Sequence, residues 1–158
     1  MLNIQLTAVS NTFTSNSAIS GGSLYCKGCL LTSLSLNTFT NGRALNGGDM
    51  YIEDSLNSIV LDRHSHSSAK AYNNGGVTYV KITPASTWKN MEFTTKVHLT
   101  GTSTYLTNTA LNEGGLGFFD LDSTGGLGSL KIYALSSTYQ GNMAVAKGGL
   151  FSISSGYT

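Results

Sequence analysis

Asn11-Thr12-Phe13-Thr14-Ser15-Asn16-Ser17-Ala18 leads into Gly21-Gly22, and Asn37-Thr38-Phe39-Thr40-Asn41-Gly42-Arg43-Ala44 leads into Gly47-Gly48. The same pattern returns as Ser103-Thr104-Tyr105-Leu106-Thr107-Asn108-Thr109-Ala110 before Gly114-Gly115. It returns again as Ser137-Thr138-Tyr139-Gln140-Gly141-Asn142-Met143-Ala144 before Gly148-Gly149. A degraded copy, Asp62-Arg63-His64-Ser65-His66-Ser67-Ser68-Ala69, precedes Gly75-Gly76 with extra residues between. Self-similarity of this kind decides the fold before any local reading does.

Each copy holds a short strand centred on an aromatic, a turn at Asn, a small Ala, a glycine pair and a second alternating strand. No copy holds the amphipathic stretch that a helical repeat needs. Gly and Asn suit tight corners because they tolerate positive φ. The expected fold is therefore all-β, a right-handed parallel β-helix (β-solenoid) of about five irregular coils. One domain spans 1–158, with longer loops or an added coil near 83–101, which holds Pro84 and Trp88, and near 120–128.

Alternation assigns the faces. Leu24 and Cys26, Met50 and Ile52, Thr78 and Val80, Gly117 and Phe119, and Phe151 and Ile153 should point inward. So should the aromatic slot (Phe13, Phe39, His64 or His66, Tyr105, Tyr139) and the Ala slot (Ala18, Ala44, Ala69, Ala110, Ala144). The positions between them should point out, which leaves Tyr25, Tyr51, Tyr79 and Phe118 as an outward aromatic row. Exposed aromatics mark interaction surfaces and stack on sugar rings. The same row could instead stack on itself or lie beneath a loop.

Composition bounds the function. Only 11% of residues are charged and the formal net charge is +1, which excludes an electrostatic nucleic-acid binder. No apolar stretch is long enough for a transmembrane segment, and recurrent Leu, Ile, Val and aromatics exclude a disordered chain. The chain starts and stops in mid-pattern, so it is expected to be a fragment or a protomer that stacks end to end on itself or on adjoining coils.

The motifs that could carry chemistry are sparse. Asp120-x-Asp122 would share a strand face, but neither His nor Arg accompanies the pair, so solvated loop acids are the favoured reading and no catalytic residue is assigned. Asp62, His64 and His66 alternate and would offer O/N/N donors to a metal such as Zn²⁺, without a fourth ligand. Cys26-Lys27-Gly28-Cys29 has half of a zinc-ribbon spacing and lacks its second half. A local disulfide or a buried thiol accounts for it better. Thr12-x-Thr14 and Thr38-x-Thr40 would face outward like an ice-binding ladder. The flanks Arg63 and Ser65, Thr104 and Leu106, and Thr138 and Gln140 interrupt that ladder. No cofactor is expected.

Phe13-x-x-Asn16, Tyr105-x-x-Asn108, Tyr139-x-x-Asn142 and the Gly-Gly-x-Leu/Met steps resemble repeats of polymorphic outer-membrane-protein passengers. They also resemble repeats of large protist surface proteins with a pectin-lyase-like right-handed β-helix. The chain departs at the residue after each glycine pair, where that family prefers Ala and this sequence has Ser23, Asp49, Val77, Leu116 and Leu150. The resemblance implies an extracellular or cell-surface structural protein or adhesin, a candidate filament former whose partners are itself, carbohydrate or surface proteins. It offers no catalytic residues. The alternative on the same fold is a carbohydrate-active polysaccharide lyase or hydrolase, and the third reading is ice binding.

Overall fold

The computed structural model describes residues 4–54, 58–83, 93–121 and 128–155. Among them every regular element is a strand, and the strands form four sheets paired throughout in parallel. This is a parallel β-solenoid.

The first sheet stacks β1 (Ile4–Val9), β4 (Cys29–Ser35), β8 (Ser58–Asp62), β12 (Phe93–Thr100) and β16 (Gly128–Ala134). The second stacks the three-residue strands β2 (Thr12–Thr14), β5 (Thr38–Thr40), β9 (Ser65–Ser67), β13 (Thr104–Leu106) and β17 (Thr138–Gln140). The third holds β6 (Arg43–Ala44), β10 (Lys70–Ala71), β14 (Thr109–Ala110) and β18 (Met143–Ala144), extended by a bridge from Ser17 to Arg43. The fourth holds β3 (Leu24–Lys27), β7 (Met50–Glu53), β11 (Thr78–Ile82), β15 (Gly117–Leu121) and β19 (Phe151–Ser155). Each rung therefore visits the four sheets in turn and returns one strand spacing, about 4.8 Å, further along the axis.

In-register parallel pairing places identical positions of successive repeats on top of one another. The aromatic slot becomes an internal ring ladder: Phe13 to Phe39 at 4.7 Å between centroids, Phe39 to His66 at 4.5 Å, His66 to Tyr105 at 5.2 Å and Tyr105 to Tyr139 at 5.3 Å. Around it Leu34, Met50, Ile52, Ile59, Leu61, Val80, Ile82, Val97, Leu99 and Phe119 close the core.

The glycine pairs sit at one corner and meet two separate demands. Gly21, Gly47, Gly75, Gly114 and Gly148 have φ between 61° and 69°, a region that strains side-chain-bearing residues. Gly22, Gly48, Gly76 and Gly115 instead lack room, because a methyl on each would meet the carbonyl oxygen of Gly48, Gly76, Gly115 and Gly149 in turn. At two other corners asparagines bond the backbone groups that the bend leaves unpaired. Asn37 Oδ1 accepts the Asn11 N–H at 2.8 Å while its Nδ2 donates to Ala8 O at 2.9 Å. Asn142 likewise accepts the Asn108 N–H at 3.1 Å and donates to Tyr105 O at 3.0 Å.

The third copy sits two residues further along than its sequence match suggests. His66, not His64, pairs with Phe39 and Tyr105, and Ala71, not Ala69, pairs with Ala44 and Ala110. The outward flanks of its aromatic slot are then Ser65 and Ser67 rather than Arg63 and Ser65. The second sheet consequently carries an unbroken hydroxyl column of Thr12, Thr38, Ser65, Thr104 and Thr138. The parallel column runs Thr14, Thr40 and Ser67 before Leu106 and Gln140 end it.

Of the two expected lengthenings, β12 takes the ordinary place in its sheet, between β8 and β16. Residues 84–92, with Pro84 and Trp88, and residues 122–127, with Asp122, lie outside the described residues. No helix among the described residues is long and apolar enough to cross a membrane.

Candidate functional site

The outward aromatic row exists as a ladder. Tyr25, Tyr51, Tyr79 and Phe118 pair in register on β3, β7, β11 and β15, and their rings follow one another at 5.5, 4.8 and 5.1 Å. Its exposure corrects the expectation of an open surface. Tyr25 is 50% exposed, whereas Tyr51, Tyr79 and Phe118 retain 9%, 8% and 5% and form an apolar cluster of their own, apart from the interior core. Strand alternation settles which side of the sheet a ring leaves from, and says nothing of what then covers it.

Acids tie the ladder's hydroxyls. Tyr25 Oη donates to Glu53 at 3.0 Å and Tyr79 Oη donates to Asp120 at 2.8 Å. Lys27 Nζ lies 2.9 Å from Glu53, and this contact holds the Glu53 carboxyl below its ordinary range. Burial, with Glu53 nearby, pushes the Tyr51 phenol up to about 12. Asp120, expected as a solvated loop acid, instead lies on β15 and accepts the hydroxyl of an inner tyrosine of the ladder.

The structure does not gather Asp62, His64 and His66 on one face. Arg63 takes a positive φ of 52° between β8 and β9, so the alternation expected across all three is broken there. Asp62 is half-buried, bonded to Arg63 Nε at 2.8 Å and to Thr100 Oγ1 at 3.2 Å. Both histidines turn inward and are fully buried, their rings stacked at 5.5 Å. His66 Nδ1 lies 2.8 Å from Asp49 Oδ2, a contact inside the core between a ladder ring and the residue that follows a glycine pair. Among the described residues no group of three His, Cys, Asp or Glu side chains is placed to hold a metal ion. Cys26 and Cys29, one on β3 and one opening β4, are joined as a disulfide and both are buried.

The third sheet carries a feature that the motif reading passes over. Ala44, Ala71 and Ala110 are buried, so the next residue along the chain faces out. Those neighbours are Leu45, Tyr72 and Leu111, and Ile19 and Val145 take the same place after Ala18 and Ala144. All five are 44% to 76% exposed. The sequence signal is the apolar residue after each Ala, complete once Ala71 replaces Ala69 in the third copy. Compared with known families, curated proteins and solved structures, the chain finds no match.

Proposed function

We propose that the chain is a structural β-solenoid module of an extracellular or cell-surface assembly, a non-enzymatic element whose rungs continue end to end. The observation that carries this reading is where the distinctive residues are spent. The aromatic slot, the glycine pairs, the corner asparagines and the outer tyrosines all contact the equivalent residue of the next rung. Such ladders reward repetition itself, since every added rung makes the same contacts again. A strand at the edge of a sheet, such as β2 or β17, presents backbone groups that a further rung of the same design would pair.

Sedimentation and electron microscopy of the chain at micromolar concentration test the reading. Elongated particles or fibres giving a reflection near 4.8 Å along the fibre axis are the expected outcome. A stable monomer at that concentration, or turnover of a polysaccharide that is lost in Asp120→Asn, would contradict it.

A further inference from the structure

We propose that the third sheet is a docking face for an anionic lipid surface. Ile19, Leu45, Tyr72, Leu111 and Val145 follow one another rung by rung as an apolar ridge, Ile19 held opposite Leu45 by the flanking Ser17–Arg43 and Ser20–Asn46 bridges and the rest by backbone bonds. Leu45 N–H donates to Ile19 O at 3.0 Å, Tyr72 N–H to Ala44 O at 2.9 Å, Leu111 N–H to Ala71 O at 3.0 Å and Val145 N–H to Ala110 O at 3.3 Å. At about 4.8 Å per rung the ridge runs about 19 Å from Ile19 to Val145.

A second outward column, Ser17, Arg43, Lys70, Thr109 and Met143, runs beside it in register. It adds an exposed methionine and two cations, and neither column contains an Asp or Glu. Lys70 Nζ lies 5.0 Å from the centre of the Tyr72 ring, so a cation caps the one aromatic of the ridge. An apolar ridge with cations and no acids is complementary to a surface that is anionic outside and apolar just beneath, as a charged bilayer is.

Charge and size select this occupant over the others. A second copy would bring another Arg43 and Lys70 onto the same face and meet repulsion. A protein partner of ordinary affinity needs about 800 Å² from each side, more than two columns about 19 Å long and about 7 Å apart supply. A bilayer interface demands no complementary shape, and it accepts the same half-exposed side chain repeated at each rung. This inference goes beyond the structural role, and the two fail separately, since end-to-end stacking uses the sheet edges and not this face.

Co-sedimentation of the full chain with extruded phosphatidylcholine vesicles, with and without phosphatidylserine, tests it. Binding is expected on the phosphatidylserine vesicles, weakening as salt rises. Arg43→Gln with Lys70→Gln keeps the ridge and should lower partitioning by roughly fivefold for each cation removed. Leu45→Asp with Leu111→Asp should abolish binding while circular dichroism melting stays close to that of the parent. No binding to anionic vesicles, or binding that both variants leave unchanged, would overturn the proposal. So would a vesicle-free dimer that the Leu45→Asp, Leu111→Asp variant dissociates, which would assign the ridge to a second copy.

Discussion

Acidification should destabilise this solenoid through His64 before any carboxylate is involved. The His64 ring is fully buried, stacked against the rings of His66 and Phe39. Burial, with His66 beside it, lowers its pKa from 6.5 to about 4, outweighing the Leu34 carbonyl and Asp62, which favour the charged form. The folded protein thus keeps His64 neutral while the unfolded chain takes up a proton as pH falls through 6.5. Stability is fully present above that value and declines by up to about 1.4 kcal/mol per pH unit below it, a loss of about 3 kcal/mol by pH 4. That is a large share of a typical folding free energy of about 5–15 kcal/mol. Glu53 and Glu113, both held below the ordinary 4.5 by hydrogen bonds, stabilise the fold above that value and lose their contribution only as pH falls below it, so the interval from pH 6.5 to 5 is where the His64 loss is read.

His64→Asn separates His64 from the rest. It restores the residue found at Asn11 and Asn37, whose amide already bridges rungs at this corner. Urea unfolding followed by circular dichroism at pH 7.5, 6, 5.5 and 5 should show a sloping midpoint for the parent and a flatter one for His64→Asn. Identical slopes would refute the assignment.

Other positions give contrasting outcomes. Gly48→Ala should cost more than about 2 kcal/mol in urea unfolding, because its methyl meets the Gly76 carbonyl, which belongs to the next rung's backbone and cannot yield. Phe39→Ala should cost about 3–5 kcal/mol, since the ring lies between Phe13 and His66 in the buried ladder. Tyr79→Ala should be severely destabilising and Tyr25→Ala mild, by less than about 1 kcal/mol, although both occupy one column. Equal losses from the two tyrosines would show that the ladder is not buried as described.

The fold was legible because parallel in-register stacking writes itself into sequence as recurrence. Phe13 and Phe39 recur with their flanking residues, and Gly21 and Gly47 recur because the same corner needs the same φ. The third copy resists the same reading. Two histidines lie two residues apart, both turn inward, and only the strand register, which pairs His66 with Phe39 and Tyr105, distinguishes them. That slip hid Ala71, and with it the complete apolar ridge and the unbroken hydroxyl column. The outer tyrosines illustrate a second limit. Alternation places Tyr51 and Tyr79 outside their sheet, but burial is a property of the whole chain and not of one strand's periodicity. The His66–Asp49 contact joins a residue of β9 to the residue just ahead of β7, and no spacing rule connects them.

The rung register itself can be measured by dipolar electron paramagnetic resonance between nitroxide pairs. One label is fixed at Thr12 and the other placed at Thr38, Ser65, Thr104 or Thr138, the outward column of the second sheet. A solenoid in this register predicts backbone separations rising by one rung each time, about 5, 10, 14 and 19 Å, despite the unequal sequence gaps. Separations that follow sequence distance instead, or a Ser65 label that falls out of the progression, would contradict it.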